Sequence, residues 1–438
     1  MMINAVLLAV IVMVGLSLAR VHVVLSLVIG ALVGGLVAGM SVADTLTAFQ
    51  GGIKNGAEIA LSYAMLGAFA MAIAHSGLPQ MIADKLIMKV NNTDGAGKLK
   101  WLLCGILVVM AMMSQNIVPI HIAFIPLIVP PLLLVMNRLQ LDRRAVACIL
   151  TFGLVNTYMF IPYGFGDIFL NQIILKNVND AGMATGDISM MKTMTIPALG
   201  MLLGLLIAVF VTYRKPRAYR DIEIAKETPA KAVNGYDVAV AVGAILVALG
   251  AQLMTDSLLI GSLVGFAVFM ATGVVKWREA NDVFNDGIKM MAMIGFIMIC
   301  AQGFAEAMKA TGQIDTLVDG AMQLFGGNKA MAALAMLIVG LIVTLGIGSS
   351  FSTVPIIATI YVPLCMAMGF SVPATVALVA TAGVLGDAGS PASDSTLGPT
   401  MGLDADGQHD HIKDSVVPTF IHYNIPLIIF GWVAAMVL

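Results

Sequence analysis

Charge is what this chain has least of. Only 11% of its residues are Asp, Glu, Lys or Arg, against about 25% in a soluble domain. That shortage excludes a soluble globular protein, and a hydrophobic share of 59% with a mean hydropathy of +0.96 agrees. A formal net charge of −2 leaves no basic surface for a nucleic-acid partner. Cysteine is also scarce: Cys104, Cys148, Cys300 and Cys365 stand far apart, each inside an apolar run. Such spacing argues against a disulfide framework and a zinc site, and for buried, inert thiols. No G-x-x-x-x-G-K-[ST] loop and no G-x-S-x-G elbow occurs, which speaks against an ATP-driven pump and an intramembrane hydrolase. The alternation of polar and apolar residues that marks a membrane β-barrel is missing as well. The first apolar run, 3–19, lacks a basic flank and a small-residue cleavage site, so it is expected to be a mature helix rather than a signal peptide.

What the chain does have is long apolar runs, most of them close to the roughly 20 residues that cross a bilayer as a helix. It also says the same thing twice. SLVIGALVGG at 26–35 is answered by SLLIGSLVGF at 257–266, and GIK at 52–54 recurs at 287–289. Gly77 and Asp84 return as Gly312 and Asp319, and IVPPL at 128–132 as YVPLC at 361–365. The register drifts by only a few residues over most of each half. An apolar chain made of two copies of one unit is the mark of a two-fold pseudosymmetric transporter. The expected division is a first repeat at 1–213, a charged, proline-containing linker at 214–235 and a second repeat at 236–438.

The runs of the first half are 3–19, 22–40, 57–77, 101–136, 144–178 and 193–213; those of the second are 236–253, 257–275, 288–308, 330–368, 373–403 and 415–437. Runs 101–136 and 330–368 are each either two crossings or one re-entrant hairpin. Their arms, of about 14–18 apolar residues, are short for full spans. With five crossings and one hairpin per half, 18 of the 23 basic residues fall on one side, including Lys85, Lys98, Arg138, Arg143, Arg217 and Lys276. Only Lys54, Lys176, Lys192, Lys309 and Lys329 fall on the other. The positive-inside rule makes the richer side cytoplasmic and places both termini outside. An odd number of crossings then inverts the second repeat relative to the first. The expected fold is an all-α polytopic membrane protein of two inverted repeats in the bacterial inner membrane.

Four interruptions break the runs: near SQN (114–116), at PYGFG (162–166), at GSSFST (348–353) and at GDAGSP (386–391). Backbone cannot leave helical geometry in contact with lipid, so such breaks lie inside protein or line a wet cavity. Inversion brings them toward the midplane, where half-helix ends aim partial charges at one small volume. Ser114, Gln115 and Asn116, together with Ser349, Ser350, Ser352 and Thr353, supply hydroxyls and amides that can cap helices, pair between them, or ligate Na⁺. In GDAGSPASDST (386–396), Asp387 and Asp394 bracket the break beside Ser390, Ser393, Ser395 and Thr396. A carboxylate this deep marks an ion or proton pathway, because Na⁺ and H⁺ compete for the same oxygens. The alternative is that one Asp caps the following half-helix while the other faces a vestibule. Na⁺ is expected at Asn116, Asp387 and Asp394. Tyr163, Asp167, Asn156 and Asn171 surround the first-half break and can contact a solute, as can His121 one turn beyond the first tip. Glu58 and Glu306 are read as rim residues. DADGQHDHIKD (404–414) lacks the closing Glu of an EF-hand and is read as a solvated loop placed to gate.

RVHVVLSLVIGALVGGLVAGM, ALSYAMLGAFAMAIAHSG (60–77) and GDAGSPASDSTLGPTMGLDADGQHDHIKDSVVPTFIHYNIP (386–426) resemble the NhaC-like Na⁺/H⁺ antiporter family, and within it the YuiF-type branch linked to amino-acid, particularly histidine, transport. The resemblance runs over essentially the whole chain. It implies the ion transporter superfamily fold, with inverted repeats, two re-entrant hairpins and two unwound helices. It also implies a homodimer, an elevator-like motion and no cofactor beyond a coupling Na⁺ or H⁺. Two functions follow: cation-coupled movement of a small zwitterion, or pure Na⁺/H⁺ exchange. The acid pair favours exchange, and twin tips enclosing more room than a bare ion needs favour a solute. A channel fits twin midplane sites less well than alternating access does.

Overall fold

The structure is a computed structural model. It describes all residues except 1–3, 20, 80, 83–84, 86–87, 89–95, 117–120, 223–233, 256, 348 and 392. The side chains of some further helical residues, Glu58 and His121 among them, also lie outside the description.

Among the described residues every regular element is a helix, the form that satisfies its own backbone without water. In order these are α1 (Ala5–Leu18), α2 (Val23–Val37), α3 (Val42–His75), α4 (Ala96–Asn116), α5 (His121–Arg138), α6 (Arg143–Phe160), α7 (Phe165–Asp180) and α8 (Met190–Thr212). Next come α9 (Gly235–Thr255), α10 (Leu258–Ala271), α11 (Ala280–Ala310), α12 (Ile314–Phe325), α13 (Lys329–Ile347), α14 (Ser350–Ala367), α15 (Val372–Val384), α16 (Asp394–Leu403) and α17 (His411–Val437). Among the described residues five helices combine the length and apolar character of a membrane span: 97–116, 190–212, 235–255, 350–367 and 411–437. The α6–α7 pair, bent by 58°, makes a sixth if counted as one span.

Two expectations about length need correction. The runs 57–77 and 288–308 are only the apolar ends of α3, with 34 residues, and α11, with 31. Ser41 caps α3 by accepting from the Asp44 N–H, and no proline interrupts the polar stretch that follows, so the helix starts well before hydropathy rises. The hairpin arms are also longer than their apolar cores, α4 reaching 21 residues and α13 reaching 19. Arm length therefore does not distinguish a hairpin from two crossings.

Helices α3 and α11 pack along each other with glycine at the contacts. A Cβ on Gly67 would lie 2.2 Å from the Gly287 carbonyl oxygen, and one on Gly52 would lie 2.3 Å from that of Gln302. Gly56 meets Ile299 in between. Residue numbers rise along one helix as they fall along the other, so the pair is antiparallel. Small residues let the two backbones approach this closely. Helices α8 and α17 pair in the same sense, Gly200 on Phe430 and Gly204 on His422 and Pro426.

Candidate functional site

The second-half break leaves the described residues between Val384 and Asp394 outside any helix. Gly386 and Gly389 take φ of +88° and +92°, where an L side chain would be strained. The freed backbone groups are satisfied by side chains. Asn424 of α17 accepts from the Gly386 N–H at 2.7 Å and donates to the Ala388 carbonyl at 2.7 Å. Thr396 Oγ1 accepts from the Gly389 N–H at 3.1 Å. Such payment is obligatory for irregular backbone away from water.

This scaffold presents Asp387. Its side chain is buried, with the residue 5% exposed, and four hydroxyls surround the carboxylate. Ser393 donates to Oδ1 at 2.6 Å, while Ser395 and Ser350 donate to Oδ2 at 3.4 and 3.5 Å. Tyr158 of α6 donates to the same Oδ2 and lies 2.9 Å from the Ser350 hydroxyl. Among the described residues no Lys or Arg forms an ion pair with Asp387. Hydroxyls that now donate can turn their lone pairs inward, so carboxylate and hydroxyl oxygens together form the hard donor set that suits Na⁺; the carboxylate alone can take a proton instead. Tyr158 ties this cage to the first half, where its ring packs on Phe165 and Phe169, and Phe351 of α14 packs against it from the second half.

The first-half break is built similarly. Asn116, at the end of α4, accepts from the Gly166 N–H at 3.0 Å and donates to the Ile161 carbonyl at 3.2 Å. Gly164 has φ of +59°, and a Cβ there would strike the Asn116 carbonyl oxygen at 1.8 Å. Asp167 accepts from Asn171 at 2.6 Å and from Gln172 at 3.0 Å. Tyr163, 57% exposed, and Asp167 line a cavity of about 600 Å³, which adjoins a second of about 530 Å³.

The remaining expected site residues separate into groups. Ser114 spends its hydroxyl on the Ala111 carbonyl of its own helix, 2.9 Å away. Gln115 Oε1 and Asn156 Oδ1 are buried without a hydrogen-bond partner. Ser349 precedes α14; Ser352 lies 3.4 Å from its hydroxyl, and Thr353 bonds its carbonyl at 3.0 Å. Ser390 is buried in the unwound stretch. Ser393, not an Asp, caps α16, and Asp394 is exposed in its first turn. Asn116 and Asp387, expected to share Na⁺, serve separate hydrogen-bond networks at the two breaks. The side chains of His121 and Glu58, and the residues at 117–120, 348 and 392, lie outside the described set. Glu306 pairs with Lys309 at 3.5 Å. Tyr158 and Asn424 were not anticipated; their only signal was a polar group inside an apolar run close to a break.

The 404–414 loop is not solvated throughout. Asp406 takes a bidentate pair from Arg143, both contacts at 2.6 Å, with side-chain exposures of 1% and 0%. Asp414 pairs with Arg217 at 2.7 Å, and His409 is 1% exposed, its Nε2 lying 2.7 Å from the Ser415 hydroxyl. Burial and Arg217 and Arg143 nearby push the His409 imidazole down to about 4, against the opposing carboxylates Asp414 and Asp142. Among the described residues no three His, Cys, Asp or Glu gather to hold a metal ion.

Broken helices packed inside an apolar helical protein, with a hydroxyl-caged carboxylate between them, define a membrane transporter rather than an enzyme. Residues 149–432 match the Na⁺/H⁺ antiporter family, and residues 4–90 match a second Na⁺/H⁺ antiporter family description. The chain belongs to the Na⁺/H⁺ antiporter family. It is 57% identical to an uncharacterized membrane protein of Vibrio parahaemolyticus, over 99% of this chain and all of that one. It is 47% identical to YuiF of Bacillus subtilis, named there as a candidate amino acid transporter, over 99% of this chain and all of YuiF. Among solved structures, the YdaH transporter of Alcanivorax borkumensis superposes with a TM-score of 0.60 at 16% identity, covering 89% of this chain and 86% of YdaH. MtrF of Neisseria gonorrhoeae, whose structure is described with a class of antimetabolite efflux pumps, gives 0.58 at 15% identity, covering 90% and 84%. These two likenesses concern the fold.

Proposed function

We propose that this protein is a cation-coupled secondary transporter that works by alternating access, with Asp387 as the group that exchanges Na⁺ and H⁺. One observation carries the reading: a buried carboxylate held by four hydroxyls from both halves of the chain, with no Lys or Arg paired to it among the described residues. A permanently empty, ionised site of that kind is costly in an apolar interior, and a bound cation or proton offsets the cost. Asp394, exposed at the start of α16, is the neighbouring carboxylate that draws cations toward the cage.

The inverted arrangement draws support from packing. Helices α3 and α11 are counterparts in the repeat and run antiparallel, as do α8 and α17. Loop contacts support the sidedness. Segments assigned to the cytoplasm meet one another, as in His75–Glu279, Asn137–Asp221 and Arg143–Asp406. Segments assigned outside do the same, as in Asn4–Thr316, Lys329–Gly369 and Ser371–Leu438. In this reading α4–α8 and α13–α17 move, elevator-like, against a dimeric scaffold of α1–α3 and α9–α12. The solute is an amino-acid-type zwitterion, the class suggested by the name of YuiF; the cavities at the first break, far larger than a bare ion, favour it over pure Na⁺/H⁺ exchange.

Proteoliposome flux tests this. Wild type should couple a Na⁺ or H⁺ gradient to countermovement of the other cation or to accumulation of labelled histidine. Asp387→Asn, close to isosteric, should lose coupling by roughly a hundred-fold or more, about 3 kcal/mol, while remaining folded. Unchanged coupled flux in that variant would remove Asp387 from the mechanism.

A further inference from the structure

Helices α4 and α8 both pack against α6, and the start of one meets the end of the other. There the Trp101 and Phe210 rings stack, with centroids 5.0 Å apart and planes 21° apart. The pair is not buried: Trp101 is 46% and Phe210 51% exposed. From it each helix continues as an exposed apolar stripe, Val109 and Met113 on α4, Leu206, Leu203 and Leu199 on α8. The twelve residues from Trp101 to Met113 are unbroken α-helix, about 18 Å long. That is close to the depth of one leaflet, half of a hydrocarbon core about 30 Å thick. Tryptophan favours the level where hydrocarbon gives way to headgroups, so the pair marks that level.

On the headgroup side of the pair the charge is of one sign. Lys98 and Lys100 lie at the start of α4, with Lys100 Nζ 5.8 Å from the Trp101 ring centroid. Arg214 and Lys215 follow the end of α8 and are exposed. None of the four forms an ion pair among the described residues. Neither 96–101 nor 206–217 contains an Asp or Glu. The carboxylates Asp142 and Asp414, which follow α5 and open α17, are already held by Arg144 and Arg217. The uncapped N–H groups of α4 add partial positive charge at the same place. Unbalanced positive charge calls for an anion, and the stripes beside it call for hydrocarbon.

We propose that the joined ends of α4 and α8 bind an anionic phospholipid, in the leaflet that the sidedness above makes cytoplasmic. Its phosphate sits among Lys98, Lys100, Arg214 and Lys215, its glycerol region lies on the Trp101–Phe210 pair, and its acyl chains follow the two stripes. A soluble phosphate would answer the charge but leave the aromatic pair and the stripes uncovered. A zwitterionic lipid would cover the stripes but bring no net charge to the four cations. The site is separate from the Asp387 cage and does not depend on which cation that cage exchanges.

The experiment titrates the purified full-length protein in detergent with phosphatidylglycerol, phosphatidylcholine and glycerol 3-phosphate, and reads thermal stability. A second series makes Trp101 the sole tryptophan, through Trp277→Phe/Trp432→Phe, and reads its quenching by the same two lipids with brominated acyl chains. Phosphatidylglycerol should act at a concentration at least about ten-fold below that of phosphatidylcholine, and glycerol 3-phosphate should neither stabilise nor compete. Lys98→Gln/Lys100→Gln and Arg214→Gln/Lys215→Gln should each weaken phosphatidylglycerol, by roughly five-fold for every charge removed, and leave phosphatidylcholine unchanged. Equal action of the two lipids on wild type, full competition by glycerol 3-phosphate, or a preference that survives removal of all four charges would overturn the proposal. The wild-type titration needs no variant to fold. Coupled flux through the Asp387 cage is measured separately, so either reading can fail without the other.

Discussion

Arg143→Met separates a buried lock from a surface ornament. Arg143 begins α6, and its side chain is fully buried, with both terminal nitrogens 2.6 Å from Asp406. It also donates to the Leu403 carbonyl at 2.8 Å and to Asn137 at 2.9 Å, with the Tyr219 ring 4.3 Å away. Removing the guanidinium leaves Asp406 buried and unpaired, a loss of about 3–5 kcal/mol. The stranded carbonyl and amide add about 1 kcal/mol each. The double variant Arg143→Met/Asp406→Leu removes both charges and should recover all but about 1–2 kcal/mol, because an apolar pair of similar volume avoids the desolvation cost. A double-mutant cycle on thermal unfolding in detergent, with the Asp406→Leu single variant as the fourth corner, reads the coupling. Burial raises the Asp406 carboxyl, but its bonds from Arg143 and Gln408 outweigh burial and hold it below the usual carboxylate range. A carboxyl lowered by folding stabilises above its unfolded value and loses that contribution as pH falls through the folded one. Wild type should therefore lose the coupling only below about pH 4. Single variants within about 1 kcal/mol of wild type, and no worse than the double, would refute the lock.

Two further outcomes follow from the same geometry. His409, pushed down to about 4 by burial, is neutral in the fold. Its contribution is complete above about pH 6.5 and is lost as pH falls toward 4, at most about 3 kcal/mol; stability of His409→Gln should be flatter across that window, and an identical slope would exclude the imidazole. Asn424→Ala strands the Gly386 N–H and the Ala388 carbonyl, about 2–5 kcal/mol in all; it should also blunt stabilisation by Na⁺ in a thermal-shift titration, and wild-type Na⁺ response would show that Asn424 does not hold the cage.

Much of this was legible in advance. Three of the four interruptions fall at helix ends, at Phe160–Phe165, Ile347–Ser350 and Val384–Asp394, while the one near 114–116 adjoins residues 117–120, which lie outside the described set. Glycine, proline and clustered polar residues stop a helix locally, so neighbours in sequence suffice to reveal it. Lengths were less legible, because α3 and α11 run through polar stretches that favour helix without being apolar. The 404–414 loop looked solvated because its residues are polar; its burial depends on Arg143 and Arg217, far away along the chain.

By itself, the sequence determined the solvent, the recurrence of short segments, the positions of three of the breaks and the presence of acid at the last of them. Each depends on composition or on residues within a few positions of one another. Only the tertiary structure decided which acid is caged. Asp387 and Asp394 look alike on paper, yet one is buried under four hydroxyls and the other is exposed. Tyr158 reaches Asp387 across 229 residues. A carboxylate's environment is made by whatever the fold packs around it, and for Asp387 half of that comes from elements distant in sequence.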